Sequence, residues 1–351
     1  MFSTLDQLAD FRKWNAFDCM KHLFGPVNSR RLGLSQGIDL LPPKTCNFNC
    51  IYCEINAEPQ LSCERGEHVP TEVIIKEIDQ LLQKKEAVNK LDVFTITASG
   101  EPTLHTGIGR IIRYLKEKTD KPVAILTNGS LLHIEEVRRD LMAADIVIPS
   151  LDAARPASFR KVNRPAKCIA GLDRIISGLE QFSQEFNGQV WLEVLLVKNM
   201  NDAPGDIEAL KKAIGRVKPT RVQLNTVARP PYESFAEPLN KERMLEIKQR
   251  IEEVFDGPVD VLAGIEEKPF SEAEAGDRKP VQVDQRSAEG EIINMLRRRP
   301  CTVADIAKTL GMKKENVAGV LEDMEKEGAI IQKIHGGKKY YKPLLLQEEK
   351  K

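Results

Sequence analysis

The chain has 351 residues, which is enough for one large domain and one small domain. Hydrophobic residues make up 41% and charged residues 30% of the chain, as in ordinary globular proteins. Basic and acidic residues balance at 52 each, so the bulk charge indicates neither a nucleic-acid nor a membrane partner. Residues 1–13 contain no apolar core of signal-peptide length, and no run approaches the ~18 apolar residues of a membrane helix.

Short apolar segments and amphipathic segments alternate along most of the chain. Helix patterns separate the apolar segments, beginning with one that Thr71 caps. This alternation predicts an α/β fold with a parallel sheet and helices outside it. The periodicity leaves two architectures open, a partial (β/α)6 barrel of the TIM type and a doubly wound open sheet. The predicted strands are Ile38–Leu41, Leu91–Ala98, Val123–Leu126, Ile146–Ile148, Val190–Val197 and Arg221–Val227.

Three cysteines, Cys46, Cys50 and Cys53, follow the first predicted strand within eight residues. A loop with this spacing can turn its thiolates toward one point. Three ligands suit a four-iron cluster whose fourth iron stays open to a non-protein ligand. Zinc is the alternative metal, although structural zinc usually takes four protein ligands in close pairs and the sequence offers no second pair. Buried cysteines without a metal are the third alternative.

Polar motifs follow the next three strands, at the edge of a parallel sheet where α/β barrels assemble their active sites. A carboxylate such as Glu101 can accept hydrogen bonds from a cationic amine, and the glycine before it lets a ligand approach the backbone. Hydroxyl and amide groups can bond ribose hydroxyls or a carboxylate. The alternatives are a plain strand-to-helix turn, an Asn-Gly turn and a helix cap. The candidate residues are Ser99, Gly100, Glu101, Thr127, Asn128 and Ser150.

The cysteine spacing, with the aromatic residue Tyr52 just before the last cysteine, resembles the cluster loop of the radical S-adenosylmethionine (radical SAM) enzymes. The surrounding Ser29–Gly33 and Pro42–Thr45 resemble the branch of the tRNA wyosine-forming enzyme. The second cluster of wyosine-forming relatives cannot be carried over, because its N-terminal region here contains a single cysteine, Cys19.

The resemblance implies a partial barrel and a [4Fe-4S] cluster held by the three cysteines. It implies that the open iron chelates S-adenosylmethionine and that Glu101 binds the amino group of this cofactor. It also implies that Tyr52, in the cysteine loop, and the remaining strand-end candidates belong to the same site. Ser99 stands where the family's GGE motif has its first glycine. An electron from an external donor, of the flavodoxin or ferredoxin kind, would then release a 5′-deoxyadenosyl radical.

Several other polar residues have two interpretations each. Glu193 and Asn225 lie within predicted strands and either face solvent or line the barrel mouth. Arg164 either grips an anion or is a solvated loop residue. Four cysteines have no ligand spacing and are interpreted as structural or incidental, and the seven together fit a reducing cytoplasm better than a disulfide scaffold. They are Cys19, Cys63, Cys168 and Cys301.

The C-terminal part has its own pattern. Residues 1–264 form the predicted barrel, 265–286 a linker, 287–343 a separate unit and 344–351 a tail. Helix, helix, turn, helix and hairpin patterns in 287–343 resemble a winged helix. This unit has 11 Lys and Arg against 8 Asp and Glu, a net charge of +3, which suits phosphate contacts. We therefore expect RNA or DNA as a partner, with RNA favoured and protein docking as the alternative.

Two functions from different classes follow. The favoured one is a cytoplasmic radical SAM enzyme that modifies a substrate in the barrel mouth, with RNA as one substrate class and a protein or small molecule as the other. The second is a regulator whose iron–sulfur cluster senses redox state and whose winged helix binds DNA. The strand-end motifs favour the enzyme, because the regulator would give them no purpose.

Overall fold

A computed structural model describes residues 22–29, 31–55, 60–97, 99–262 and 285–344. Cys19, most of the predicted linker and the tail from residue 345 lie outside these ranges. Within them, no helix combines the length and the apolar character that a membrane crossing requires.

The main sheet has eight strands, of which the first is antiparallel to the second and the rest are parallel. A separate pair of short strands, β3 (Thr45–Cys46) and β4 (Gln60–Leu61), brackets the cysteine loop. The strands of the main sheet, in their spatial order, are β1 (Leu23–Ser29), β2 (Gly33–Asp39), β5 (Val93–Thr97), β6 (Val123–Thr127), β7 (Ile146–Pro149), β8 (Gln189–Leu196), β9 (Arg221–Thr226) and β10 (Val259–Val261).

The strand order follows the sequence order without a reversal. A doubly wound sheet reverses its order at a switch point, so that alternative is wrong. The sheet also curls. Arg31, in the turn between β1 and β2, donates a hydrogen bond to Gln223 on β9 at 3.1 Å and pairs with Glu193 on β8 at 3.0 Å. Contacts between the turn after β1 and the strands β8 and β9, at the far end of the strand order, require the sheet to bend around a central cavity.

Eight helices among the described residues connect these strands and pack their apolar sides on the sheet. In the helix Ile108–Lys118, for example, Ile108, Ile111, Ile112 and Leu115 are buried, at the helical spacing that the sequence shows. The helices are α1 (Thr71–Leu82), α2 (Lys85–Asn89), α3 (Ile108–Lys118), α4 (Glu135–Leu141), α5 (Pro156–Val162), α6 (Leu172–Glu185), α7 (Pro204–Val217) and α8 (Lys241–Glu252).

The sequence-based strand bounds differ most at β2. The prediction began at Ile38, whereas β2 starts at Gly33, because polar residues occupy its buried side. Ser35 shares a hydrogen bond with Thr95 at 2.6 Å, and Gln36 donates to the carbonyl of Phe24 at 2.8 Å. These side chains are buried in the curled sheet, so an apolar pattern does not mark them.

The C-terminal unit consists of three helices and a hairpin in the predicted order. Its second helix begins with a capping box between Thr302 and Asp305 and ends at Gly311, which has a φ of 64°. The unit has a hydrophobic core of its own. Its classification as a winged helix and the domain limits stay predictions. The elements are α9 (Gln285–Arg298), α10 (Val303–Leu310), α11 (Lys314–Lys326), β11 (Ile330–His335) and β12 (Lys338–Pro343).

The C-terminal unit packs on the curled sheet through polar contacts. Arg298 of α9 lies 3.7 Å from the carboxylate of Asp39 and stacks over the ring of Phe24 at 4.3 Å. On the other side of the cavity, Tyr340 donates a hydrogen bond of 3.1 Å to the carbonyl of Ala228, just after β9. The unit therefore contacts β1 and β2 at one end of the strand order and the residues after β9 near the other end, and so lies across the cavity.

Cys63, after β4, forms a disulfide with Cys168, after α5. These cysteines were interpreted as structural or incidental, and for this pair the structural interpretation is the right one. The two residues are 105 positions apart in the sequence, so spacing alone gives no signal of their contact.

Candidate active site

A cavity of about 440 Å³ lies inside the curled sheet. Residues from the ends of six parallel strands, from the cysteine loop and from α9 line it. The structure brings all ten candidate residues to this wall, although they span more than a hundred positions of sequence. They are Cys46, Cys50, Tyr52, Cys53, Ser99, Gly100, Glu101, Thr127, Asn128 and Ser150.

Backbone hydrogen bonds fix the cysteine loop to the end of β5. The amide of Lys44 donates to the carbonyl of Ser99, and the amide of Glu101 donates to the carbonyl of Thr45 at 3.0 Å. Gly100 lies between these two bonds. A Cβ atom at this position would lie 1.8 Å from the Thr45 carbonyl oxygen, so glycine is required for the loop to come this close.

The three cysteines of the loop are half-buried at the cavity wall. Burial raises the pKa of Cys46 to about 12, with the nearby Glu101 charge adding to the effect. Burial likewise raises the pKa of Cys50 and Cys53, and Lys44 partly opposes the effect at Cys53. A metal centre that binds here therefore has to displace the thiol protons, because the thiolate is the ligand.

Hydrogen-bond donors point at two of the sulfur atoms. The amide of Phe48 lies 3.4 Å from the sulfur of Cys46, and Asn163 Nδ2 lies 3.5 Å from the sulfur of Cys50. Donors of this kind stabilise thiolates and tune iron–sulfur centres. Across the described ranges, no three His, Cys, Asp or Glu side chains come close enough to hold one metal ion. A four-iron cluster with one open iron takes three thiolates, each on a different iron, and the loop supplies three.

Glu101 is buried and lies at the centre of a hydrogen-bond network. One carboxylate oxygen accepts hydrogen bonds from the amide and hydroxyl of Thr103, at 3.0 and 2.6 Å, and from the hydroxyl of Thr127 at 2.5 Å. The other oxygen accepts one from the amide of Asn128 at 2.6 Å. Burial raises the pKa of Glu101, and these donors oppose the rise. The second oxygen keeps lone-pair capacity for a further donor, such as a ligand amine.

The remaining predicted residues are held by neighbours. The side-chain amide of Asn128 donates to Asn47 at 2.7 Å. The Ser99 hydroxyl donates to Asp39 at 2.5 Å, which explains why a serine fits where the family pattern has glycine. Ser150 forms a parallel bridge to Glu193, so it continues the pairing of β7 with β8 at the cavity. The roles of these residues toward a cofactor stay predictions.

Asp152 and Asn163 contact the cysteine loop, although neither is among the predicted site residues. Asp152 accepts hydrogen bonds from Tyr52 at 2.5 Å, from Asn163 at 2.6 Å and from the amide of Leu195 at 2.9 Å. Burial raises the pKa of Asp152 to about 6, against these donors. The aspartate thus ties the cysteine loop to the ends of two strands. Its position in Ser150–Asp152, directly after a strand, was the signal in the sequence.

Glu193 lines the cavity, so the interpretation of it as a solvent-facing residue is wrong. It pairs with Arg31 and accepts a hydrogen bond from Asn225 at 2.9 Å. Arg164 has the opposite outcome, since it lies outside the cavity wall and forms an ion pair with Glu233.

Comparison with known proteins identifies a matching family model, the Radical SAM superfamily, over residues 40–214. A protein named GTPase Obg from Brachyspira hyodysenteriae is 37% identical over 317 residues, which cover 90% of this chain and 44% of that protein. A UPF0026 protein from Synechocystis is 36% identical over 211 residues, covering 59% of this chain and 76% of that protein.

Among solved structures, SuiB from Streptococcus suis bound to S-adenosylmethionine superposes with a TM-score of 0.52 at 14% identity, covering 81% of this chain and 60% of that chain. At that identity the match shows the fold alone. The chain spans under half of the Brachyspira protein. The name of that protein therefore refers to a chain of which more than half lies outside the matched region.

Proposed function

The chain belongs to the radical SAM superfamily and to the UPF0026 proteins, and from this membership we propose that it cleaves S-adenosylmethionine reductively and modifies a substrate in its central cavity. Members of the superfamily are enzymes that use a [4Fe-4S] cluster and S-adenosylmethionine. Bound together, these groups supply a 5′-deoxyadenosyl radical that abstracts a hydrogen atom.

One observation carries the proposal. The three cysteines of the loop and the carboxylate of Glu101 line the same cavity, and two backbone hydrogen bonds hold the loop against the strand end that bears this carboxylate. Metal ligands and an acceptor for a cationic amine are therefore fixed relative to each other before any ligand binds.

The residues of the chain have distinct tasks in this reaction. Cys46, Cys50 and Cys53 would hold three irons, and the donors from Phe48 and Asn163 would stabilise their thiolates. Glu101 would accept a hydrogen bond from the cofactor's amino group with its less occupied oxygen. The curled sheet and the C-terminal unit would keep water away from a reactive radical.

We propose RNA as the substrate class, with a protein or a small molecule as the alternative. The hairpin of the C-terminal unit, interpreted as a wing, exposes Lys338 and Lys339 at its tip. The exposed side of α11 carries acids, among them Glu322 and Asp323, as well as lysines, so the hairpin is the better phosphate contact. Nucleosides from cells with and without the gene, compared by mass spectrometry, test this choice, and an unchanged profile would favour a protein substrate.

The central experiment loads the protein with iron and sulfide under anaerobic conditions and supplies S-adenosylmethionine with a strong reductant. We expect about four irons per chain and formation of 5′-deoxyadenosine. Changing Cys46, Cys50 or Cys53 to alanine should remove both. Cys301→Ala is the matched control, because Cys301 is buried in the core of the C-terminal unit.

Zinc in place of iron, or no 5′-deoxyadenosine from the loaded wild-type protein, would overturn the proposal. Radical SAM enzymes generally need an external electron donor. A flavodoxin or ferredoxin is our proposal for it, and the cytoplasmic location stays a prediction. The DNA-binding regulator is the weaker candidate, because it gives the buried Glu101 network no role.

A further inference from the structure

The cavity has a second set of charged residues, apart from the candidate cofactor residues. Arg31 and Arg229 line it from turns next to the strands of the sheet, and Arg298, at the end of α9, and Arg299, just after it, line it from the C-terminal unit. Four guanidinium groups around one cavity raise the question of which of them already have acidic partners.

Three of the four have a carboxylate partner, and two of these three, Arg31 and Arg298, make a further side-chain contact. Arg31 pairs with Glu193 at 3.0 Å, and Arg298 lies 3.7 Å from Asp39 while it stacks on Phe24. The contacts of Arg31 and Arg298 within the protein therefore account for their positions.

Arg229 is less well satisfied. Its Nε atom is buried and has no hydrogen-bond partner among the described residues. Its ion pair with Glu54 is as long as that of Arg298 with Asp39, at 3.7 Å, but among the described residues no aromatic ring stacks on its guanidinium as Phe24 does on that of Arg298. Burial opposes its charge, but Glu54 and Asp305 hold its pKa above the usual range, so the guanidinium stays charged. Buried donors in native proteins nearly always have a partner. The Nε–H group of Arg229 lacks such a partner among the described residues, while the residue itself lines the cavity.

Arg299 also lines the cavity. Within the described part of the chain, its guanidinium forms no ion pair and no hydrogen bond. Burial raises the pKa of the Cys301 thiol to about 11, and the charges of both Arg299 and Arg229 act against that rise. Tyr340 donates a hydrogen bond to the carbonyl of Ala228, next to Arg229. Its neighbour Tyr341 pairs with Cys301, two residues after Arg299. Both arginines therefore lie at the boundary between the sheet and the C-terminal unit.

We propose that Arg229 and Arg299 form an oxyanion site that holds a phosphate or carboxylate group of the substrate. The inference rests on the proposed function, since it describes the substrate end of the same cavity. Guanidinium groups suit this task because their donors match the oxygens of either anion in pairs. One arginine comes from the sheet and the other from the C-terminal unit, so a bound anion would join the two parts of the molecule.

The test titrates inorganic phosphate, and in parallel acetate, into the full-length chain loaded with iron and sulfide, by isothermal calorimetry. We expect saturable binding by the wild type. Arg229→Gln and Arg299→Gln should each weaken it about tenfold to a hundredfold, because each removes a charged hydrogen-bond partner. Arg297→Gln is the matched control, since Arg297 is exposed on the same helix and lies outside the cavity wall, and its affinity should equal that of the wild type.

Stronger binding of phosphate would assign a phosphate ester, and stronger binding of acetate a carboxylate. Unchanged affinity in Arg299→Gln, equal loss in Arg297→Gln, or no saturable binding of either anion would overturn the inference. Arg299 is half-buried, so this variant stays informative if Arg229→Gln fails to fold.

Adding S-adenosylmethionine to the phosphate complex separates substrate from cofactor. Displacement of phosphate would assign the arginines to the cofactor's carboxylate and overturn the substrate site. Cleavage is measured on the same samples. A protein that binds phosphate but makes no 5′-deoxyadenosine would therefore contradict the proposed function and leave the oxyanion site in place.

Discussion

Glu101 connects three parts of the candidate cofactor site at the scale of single atoms. Its carboxylate accepts hydrogen bonds from Thr103, Thr127 and Asn128. In Glu101→Gln, an amide nitrogen replaces one carboxylate oxygen. Its N–H groups then face the N–H and O–H groups that donated to the carboxylate. We expect S-adenosylmethionine to bind about tenfold to a hundredfold more weakly, which corresponds to about 1.5–3 kcal/mol, while the iron content stays unchanged. Equilibrium binding to the loaded protein measures this effect.

Glu67→Gln is the control for that measurement. Glu67 also accepts hydrogen bonds from a threonine, Thr71, but it lies outside the cavity wall. Equal binding by the Glu101 and Glu67 variants would reduce Glu101 to a structural residue of the turn.

The sequence identified the residues that belong to a local motif, such as Cys46, Cys50 and Glu101. It did not identify Asp152 and Asn163, because their role depends on partners that are distant in sequence. Asp152 meets Tyr52 across 100 positions, and Asn163 meets Cys50 across 113. A motif search scores neighbours along the chain, whereas these contacts arise from the folding of the sheet.

Among the elements, the disulfide between Cys63 and Cys168 supports the segment that follows α5. That segment bonds the cysteine loop through its backbone, from Ile51 to Val162 and from Ala166 to Asn47, both at 2.9 Å. Cys168→Ser should lower the free energy of unfolding of the cluster-free protein by about 2–4 kcal/mol, because the link restricts the unfolded chain. Urea unfolding measures the change.

The same measurement with a thiol reductant is the control. Reductant should lower the stability of the wild type to that of Cys168→Ser and should leave the variant unchanged. Equal stability of wild type and variant without reductant would mean that the disulfide does not form in solution.

Elements with a clear apolar pattern were predictable, and elements without one were not. The predicted strands Val123–Leu126 and Ile146–Ile148 differ from β6 and β7 by one residue at their ends. The strands β1 and β10 were missed. Gly25 and Pro26 interrupt the pattern of β1, and β10 has three residues, too few for a period to show.

For the whole molecule, the C-terminal unit and the sheet have separate hydrophobic cores. Contacts between them include Arg298 with Asp39 and Tyr340 with Ala228. Units joined in this way tend to unfold separately, and a small unit is only marginally stable by itself. We therefore expect two transitions in calorimetry of the cluster-free protein, with the C-terminal unit melting first.

Arg298→Gln should lower the midpoint temperature of the first transition, because it removes the contacts of Arg298 with Asp39 and Phe24. The midpoint temperature of the second transition should stay unchanged. A single transition whose calorimetric and van't Hoff enthalpies agree would show that the two parts unfold as one.

The close approach at Gly100 limits which sequences can adopt this site. The cysteine loop is joined to the strand end by main-chain atoms, so neighbouring side chains are free to vary as long as they point elsewhere. Ser99 does so, because its hydroxyl turns to Asp39. Position 100 has no such freedom, since even the smallest added carbon would lie 1.8 Å from the Thr45 carbonyl oxygen. Evolution can therefore replace the first glycine of the motif at little cost, whereas losing the second would separate the cysteines from the carboxylate.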